Sequence, residues 1–212
     1  MADPVRFAQR DVRGFLHEPD GAARAGVVLT HGAGGNCNAP LLISAAEQFS
    51  AAGLQALRID LPFRQRRPSG PPLPATAAGD RVGLKAAIIA LRGIVRGPIV
   101  LGGQSYGGRQ ATILAADEPD LAAALLLLSY PLHPPGKAER LRTEHFPRLR
   151  VPALFVQGTA DPFGTLAELR QAVAAIPAAT RLMPIDGAGH DLRRGRFDLD
   201  AVVIAVLELL PR

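Results

Sequence analysis

Residues 99–111, IVLGGQSYGGRQA, constrain this chain more than any other stretch. An apolar run stops at two glycines, exposes Ser105 and restarts with a helical pattern. The five residues Gly103-Gln104-Ser105-Tyr106-Gly107 form a G-x-S-x-G motif, which suits a serine at the apex of a sharp strand-to-helix turn. Backbone at such an apex is strained, and side chains two positions to either side would collide, so glycine is required at both. A chain with 22 glycines produces this spacing by chance, so the surroundings must support it.

The rest of the chain alternates in the same manner. Residues 5–16 read as two short edge strands joined by a turn at Arg13-Gly14. Residues 26–36, GVVLTHGAGGN, read as a buried strand that opens into a glycine loop. The stretch APLLISAAEQFSAAG puts Leu42, Ala45, Ala46 and Phe49 on one helical face and stops at Gly53, and LQALRIDLPF follows as a strand. Proline and glycine make residues 64–80 a surface loop. Residues 80–95 read as a helix capped by Asp80, with Leu84, Ala87, Ile88 and Leu91 facing inward. Gly97-Pro98 ends it, and the helix after the serine motif runs to Pro119. The uncharged LAAALLLLSYP is expected to be a central strand buried on both faces. A polar excursion over residues 132–150 leads to strand VPALFVQG, helix TLAELRQAVAAI, strand TRLMPID and a closing helix DLDAVVIAVLELL. This order predicts a mostly parallel, doubly wound sheet with helices on both faces, and, with no repeat or linker, one domain over residues 1–212.

In such sheets binding sites gather at the carboxyl ends of the strands. Those ends carry His31-Gly32-Ala33-Gly34-Gly35, Asp60-Leu61-Pro62-Phe63, Ser105, Tyr130-Pro131, Asp161 and Gly189-His190-Asp191. A serine hydroxyl needs a base to take its proton as it attacks a carbonyl, and His190 can serve near the ordinary imidazole pKa of about 6.5. The imidazole needs an acidic partner to fix its tautomer, for which Asp161 is the candidate. Asp60, Asp186 and Asp191 are its rivals, Asp191 reading rather as a helix cap or surface group. Backbone donors for a developing oxyanion are expected from the N–H groups of Tyr106 and Ala33. His31, Gly34, Phe63, Tyr130, His133, His145 and Phe163 are candidate pocket residues. For His31 a structural role holding the glycine loop is preferred; for His133 and His145 packing inside their loop is as good a reading. His17 reads as a surface residue.

Composition narrows the classes further. Twenty-two of the 24 basic residues are arginine, spread along the chain without a dense block, and stacking aromatics are scarce, which argues against nucleic acid as a partner despite a net charge of +5. The tightest basic group, Arg64-Gln65-Arg66-Arg67, could attract anionic substrates. The single Cys37 cannot form an internal disulfide and reads as a small buried side chain, which suits a reducing cytoplasm. No signal-peptide pattern or membrane-length apolar run is seen, so no membrane partner is expected. Histidine and cysteine spacings match no metal motif and HGAGGN lacks the end of a P-loop, so neither a metal nor a cofactor is expected. The oligomeric state is left open.

In chain order the nucleophile, acid and base run Ser105, Asp161, His190, and at this point the sequence resembles the α/β-hydrolase superfamily over nearly its whole length. The tracts HGAGG, GGQSYGGR, YPLHPPGK with RTEH, FVQGTADPFG and GAGHDL resemble a branch of small lidless hydrolase-like proteins that includes a testis-expressed protein and a subunit of a histone-acetyltransferase complex. Dienelactone hydrolases are more distant, and carry cysteine where this chain has Ser105. The resemblance implies an α/β-hydrolase fold without a lid domain. Two functions follow from it: a serine hydrolase cleaving a small or accessible ester or thioester, or an interaction module with vestigial chemistry. The loop over residues 131–150 is expected to overhang the site.

Overall fold

The computed structural model describes residues 3–193 and 197–211. Eight strands form one sheet: β1 (Val5–Gln9), β2 (Val12–His17), β3 (Ala25–Thr30), β4 (Leu54–Ile59), β5 (Ile99–Gln104), β6 (Ala124–Leu128), β7 (Ala153–Gly158) and β8 (Thr180–Ile185), in the order β1-β2-β4-β3-β5-β6-β7-β8. β1 pairs antiparallel with β2 and β2 with β4; every later pair is parallel. Among the described residues six α-helices accompany them: α1 (Pro40–Ala51), α2 (Pro62–Arg66), α3 (Ala77–Arg92), α4 (Tyr106–Asp117), α5 (Leu166–Val173) and α6 (Leu199–Leu207). This is the expected α/β-hydrolase fold. Each face of the sheet has its own core. Leu42 and Phe49 of α1 pack with Val202 and Val206 of α6 on one face, and Leu84, Leu91, Leu114 and Leu169 of α3, α4 and α5 lie on the other. β6 is buried along its whole length between β5 and β7, as its lack of charge requires. Among the described residues no helix is long and apolar enough to cross a membrane.

Three local readings change. The edge hairpin turns at Arg10 and Asp11, not at Arg13-Gly14, with Arg10 at φ 48°. Gly14 is a strand residue against β4, where an added Cβ would stand 1.9 Å from the Arg58 carbonyl oxygen, so it serves close strand approach instead of the turn. The proline-rich stretch is shorter than expected, because Pro62 starts α2 and α3 already begins at Ala77. Pro62 presets the helical φ at N1, and the paired alanines 77 and 78 extend α3 backwards. Asp80 consequently does not cap α3: it is buried inside the first turn of that helix, accepting from the Phe63 N–H in the first turn of α2 at 2.9 Å and from the Tyr106 hydroxyl at 2.7 Å.

Candidate active site

β5 runs into α4 through Ser105, whose φ of 50° and ψ of −113° put a non-glycine residue in strained backbone. Neighbouring elements hold it there. The Ser105 N–H donates to Leu128 O at 2.8 Å and the Arg109 N–H to Ser105 O at 2.9 Å. A Cβ at Gly107 would come within 2.6 Å of both His31 O and Thr30 Cγ2, and one at Gly103 within 2.6 Å of the Gly107 backbone. The motif's glycines are thus demanded by the approach of β3 and of α4 itself.

His190 follows β8 in a loop tied to the end of β7. Ala160 N–H donates to Ala188 O at 2.9 Å and Gly187 N–H to Thr159 Oγ1 at 2.9 Å. Gly158 has no side chain to block this, since its Cβ would meet Ala188 O at 2.3 Å. The imidazole Nε2 lies 2.8 Å from Ser105 Oγ, and Nδ1 lies 2.8 Å from Asp161 Oδ2. Asp161 is buried and also accepts from Gln157 Nε2 and from the Phe163 N–H, each at 2.8 Å. Among the described residues none of its rivals Asp60, Asp186 and Asp191 bonds to His190; Asp60 accepts from the Cys37 N–H, and Asp191 from the Arg193 N–H.

The glycine loop after β3 faces the serine, with the position of a Gly32 Cβ 3.4 Å from Ser105 Cβ. His31 is fully buried behind it. Its Nε2 accepts from the Leu61 N–H at 3.1 Å, which leaves Nδ1 to donate to Gly32 O at 2.8 Å and makes the ring neutral. Burial pushes its pKa down, in keeping with that tautomer. Arg64 grips the loop from the other side, Nε to Gly35 O at 2.7 Å and an Nη to Ala33 O at 2.8 Å. Those bonds use the carbonyls and leave the N–H groups of Ala33 and Tyr106 without a hydrogen-bond partner among the described residues.

Ser105 and His190 open onto a cleft of about 760 Å³. Its walls include Ala33 and Gly34, the prolines and leucine of residues 71–74, Arg81, Arg109, Ile113, Arg142 and Phe163. Among the described residues no three histidine, cysteine or acidic side chains gather as a metal site.

The sequence profile of a family described as an alpha/beta hydrolase domain matches residues 23–199. The chain belongs to this family. In fold this α/β-hydrolase is similar to dienelactone hydrolase from Anabaena variabilis, with 23% identity, 99% of each chain covered and a TM-score of 0.77. It is also similar to a serine hydrolase without lid from Xanthomonas campestris, with 17% identity, 99% of this chain and 95% of that one covered and a TM-score of 0.76. A 48-residue segment is 54% identical to polyketide synthase ThaQ of Burkholderia thailandensis, covering 23% of this chain and 2% of the synthase.

Several expected pocket residues of this α/β-hydrolase lie away from the cleft. Tyr130 is fully buried and donates its hydroxyl to Arg142 O at 2.7 Å. His145 meets Thr112 Oγ1 at 2.8 Å, and His133 bonds to Pro134 O at 2.9 Å and lies near Glu168. Phe63 stands edge-on between His31 and Tyr106, supporting the site from beneath. Only Gly34 and Phe163 of the seven candidates line the cleft. The excursion contributes Pro131 and Arg142 to the cleft; Leu132, Phe146 and Leu149 lie in the core, and residues 71–74 supply the apolar wall. His17 is buried, its Nε2 accepting from Arg58 Nε at 2.9 Å. The expected basic attractor at residues 64–67 loses its first member, since Arg64 is buried and bonded to four carbonyls. Burial and the Asp60 carboxylate push the Cys37 thiol up to about 12, which keeps it protonated and unreactive.

Sequence reasoning missed the supporting roles of Arg64 and Asp80, which read as a basic attractor and a helix cap, and did not single out Gln157. Arg64 and Asp80 bind partners distant in the chain, whereas Gln157 binds Asp161 only four residues on. The cue for Gln157 was a lone amide in an otherwise apolar strand, VPALFVQG, four residues before Asp161.

Proposed function

We propose that the chain is a serine hydrolase that cleaves small or accessible esters or thioesters through an acyl-enzyme. The observation that carries this reading is the hydrogen-bonded chain Asp161–His190–Ser105, 2.8 Å at each link, beside the N–H groups of Ala33 and Tyr106, which have no partner among the described residues. Ser105 Oγ attacks the carbonyl carbon while its proton passes to His190 Nε2. The carbonyl oxygen becomes an oxyanion against the N–H groups of Ala33 and Tyr106, a type of contact worth about 2.7–4 kcal/mol of barrier per donor. As the tetrahedral species collapses, the bond to the leaving alcohol or thiol breaks and that group takes the proton from Nε2. Water then repeats the sequence on the acyl-enzyme and frees the acid. Throughout, Nδ1–H stays on Asp161 Oδ2, which stabilises the imidazolium.

The whole chain, residues 1–212, forms one domain in this reading, acts in the cytoplasm and falls in the small lidless branch its motifs resemble. The alternative, an interaction module with vestigial chemistry, called for His190 out of reach of Ser105, and the 2.8 Å contact favours the hydrolase.

A fluorophosphonate probe tests the reading. The folded wild-type chain is expected to be labelled on Ser105, and Ser105→Ala to abolish the label. A folded wild type that stays unlabelled and inert toward p-nitrophenyl acetate and butyrate overturns it.

A further inference from the structure

Three arginines stand in the cleft with Ser105: Arg81, Arg109 and Arg142. Arg109 lies one helical turn from Ser105 on α4, and Gln110 and Ile113 continue that face along the cleft. Its Nε is closed off from solvent without an acceptor, and neither terminal nitrogen has a hydrogen-bond partner among the described residues. Arg81 donates to the neutral Gln110 Oε1 at 2.9 Å. Arg142 donates to Pro131 O at 3.3 Å. Among the described residues no carboxylate lies within 4.0 Å of any of the three guanidinium groups, whereas Arg148 and Arg181 on the surface have acidic partners.

Of the acids around the cleft, Glu144 acts on Arg142 only from beyond 4.0 Å, and the other two are already committed. Asp161 is held by His190, Gln157 and the Phe163 N–H, and Asp80 by Tyr106 and the Phe63 N–H. Half-buried cations side by side raise one another's energy, and the Arg142 pKa is pushed down by burial first and by Arg109 second, an effect Glu144 offsets only in part. An anion supplied by the occupant relieves this and satisfies the unpartnered N–H groups at once. The apolar part of the cleft wall is formed by Ile113, one turn beyond Arg109 on α4, and by residues 71–74.

We infer that the cleft selects an acyl group that carries its own carboxylate: an ester or thioester of a short dicarboxylic acid, its free carboxylate held by Arg109 and Arg142 and its methylenes against Ile113 and residues 71–74. The inference rests on the serine-hydrolase reading above. Residues 105 and 109 are separated by about 6 Å along the helix axis, a span on the scale of a chain of a few carbons. Arg81, at the cleft wall, adds attraction for the same charge.

Phenyl hydrogen adipate and phenyl hexanoate test it, since they share chain length and leaving group and differ in the terminal carboxylate. Wild type is expected to hydrolyse the adipate with kcat/KM about tenfold or more above the hexanoate. Arg109→Gln and Arg142→Gln are each expected to reduce that ratio by about fivefold, with circular dichroism reporting that they fold. A wild-type ratio near 1, or a ratio that survives in the double variant, overturns the inference. Titration calorimetry on Ser105→Ala separates this outcome from failure of the hydrolase reading. Tighter binding of the adipate ester upholds the carboxylate site even if wild type takes no fluorophosphonate label, and equal or absent binding of the two esters overturns it.

Discussion

Phe163 lies flat against His190, with ring centroids 4.1 Å apart and planes 30° apart, while its own N–H donates to Asp161 Oδ1 at 2.8 Å. One residue therefore restrains two of the three groups assigned to catalysis, the base through its ring and the acid through its backbone. Phe163→Ala keeps the N–H and removes the ring. It is expected to lower kcat by about tenfold or more through misorientation of His190, with a smaller effect on KM. Steady-state kinetics on a p-nitrophenyl ester check this, and Phe163→Leu should recover part of the loss; an unaltered kcat in both variants refutes the orienting role.

Arg64 holds the loop that presents the Ala33 N–H. Arg64→Ala is expected to cost as much as losing an oxyanion donor, about 10²–10³ in kcat. Lysine cannot reproduce a fork that reaches Gly35 O and Ala33 O together, so Arg64→Lys should fail to rescue. Retention of wild-type kcat by Arg64→Lys would show that charge alone suffices.

Gly107 has no room for a methyl group. Gly107→Ala drives a Cβ to within 2.6 Å of His31 O, which is backbone and cannot step aside. A loss of about 1–3 kcal/mol of stability is expected from this overpacking, read as a lower denaturant midpoint. A midpoint equal to wild type would mean that the turn relaxes.

Acid should weaken the fold above the range in which carboxylates titrate. The pKa of His17 is lowered to about 4 by burial and then by Arg58, and that of His145 to about 4 by burial and then chiefly by Arg109. Both folded-state values lie below the unfolded value of about 6.5, so the unfolded chain binds more protons between pH 6.5 and 4. Stability is full above pH 6.5 and falls as the pH drops through that window, each imidazole adding a slope of up to about 1.4 kcal/mol per pH unit. Urea midpoints measured from pH 7.5 to 4.5 check this, and His145→Gln should flatten the curve. A curve of unchanged slope in that variant removes His145 as a contributor.

How much of this was legible depended on whether a feature is local. The alternation of apolar runs and helices predicted all eight strands and the sheet type, because burial on both faces leaves an uncharged run such as β6 in the sequence itself. The errors arose where a neighbour outside the segment decides. Gly14 reads as a turn residue until Arg58 O is found against it, and Asp80 reads as a cap until Tyr106 and Phe63 are found around it. The candidate site divides along the same line. Ser105, Asp161 and His190 were legible as strand-end residues, and the structure brings the three within hydrogen-bond reach.

By itself the sequence determined the strained serine turn, the order of nucleophile, acid and base, and the class of fold, since each is carried by spacing within one segment. The tertiary structure alone decided what the serine faces. Tyr130, His133 and His145 turn inward because the excursion is pinned by its own apolar residues, and the apolar wall is left to the prolines of residues 71–74. Arg109 and Arg142 meet in the cleft from α4 and the excursion, 33 residues apart, with no carboxylate brought within reach. Which polar side chains converge on Ser105 is a property of packing between distant segments, and no periodicity records it.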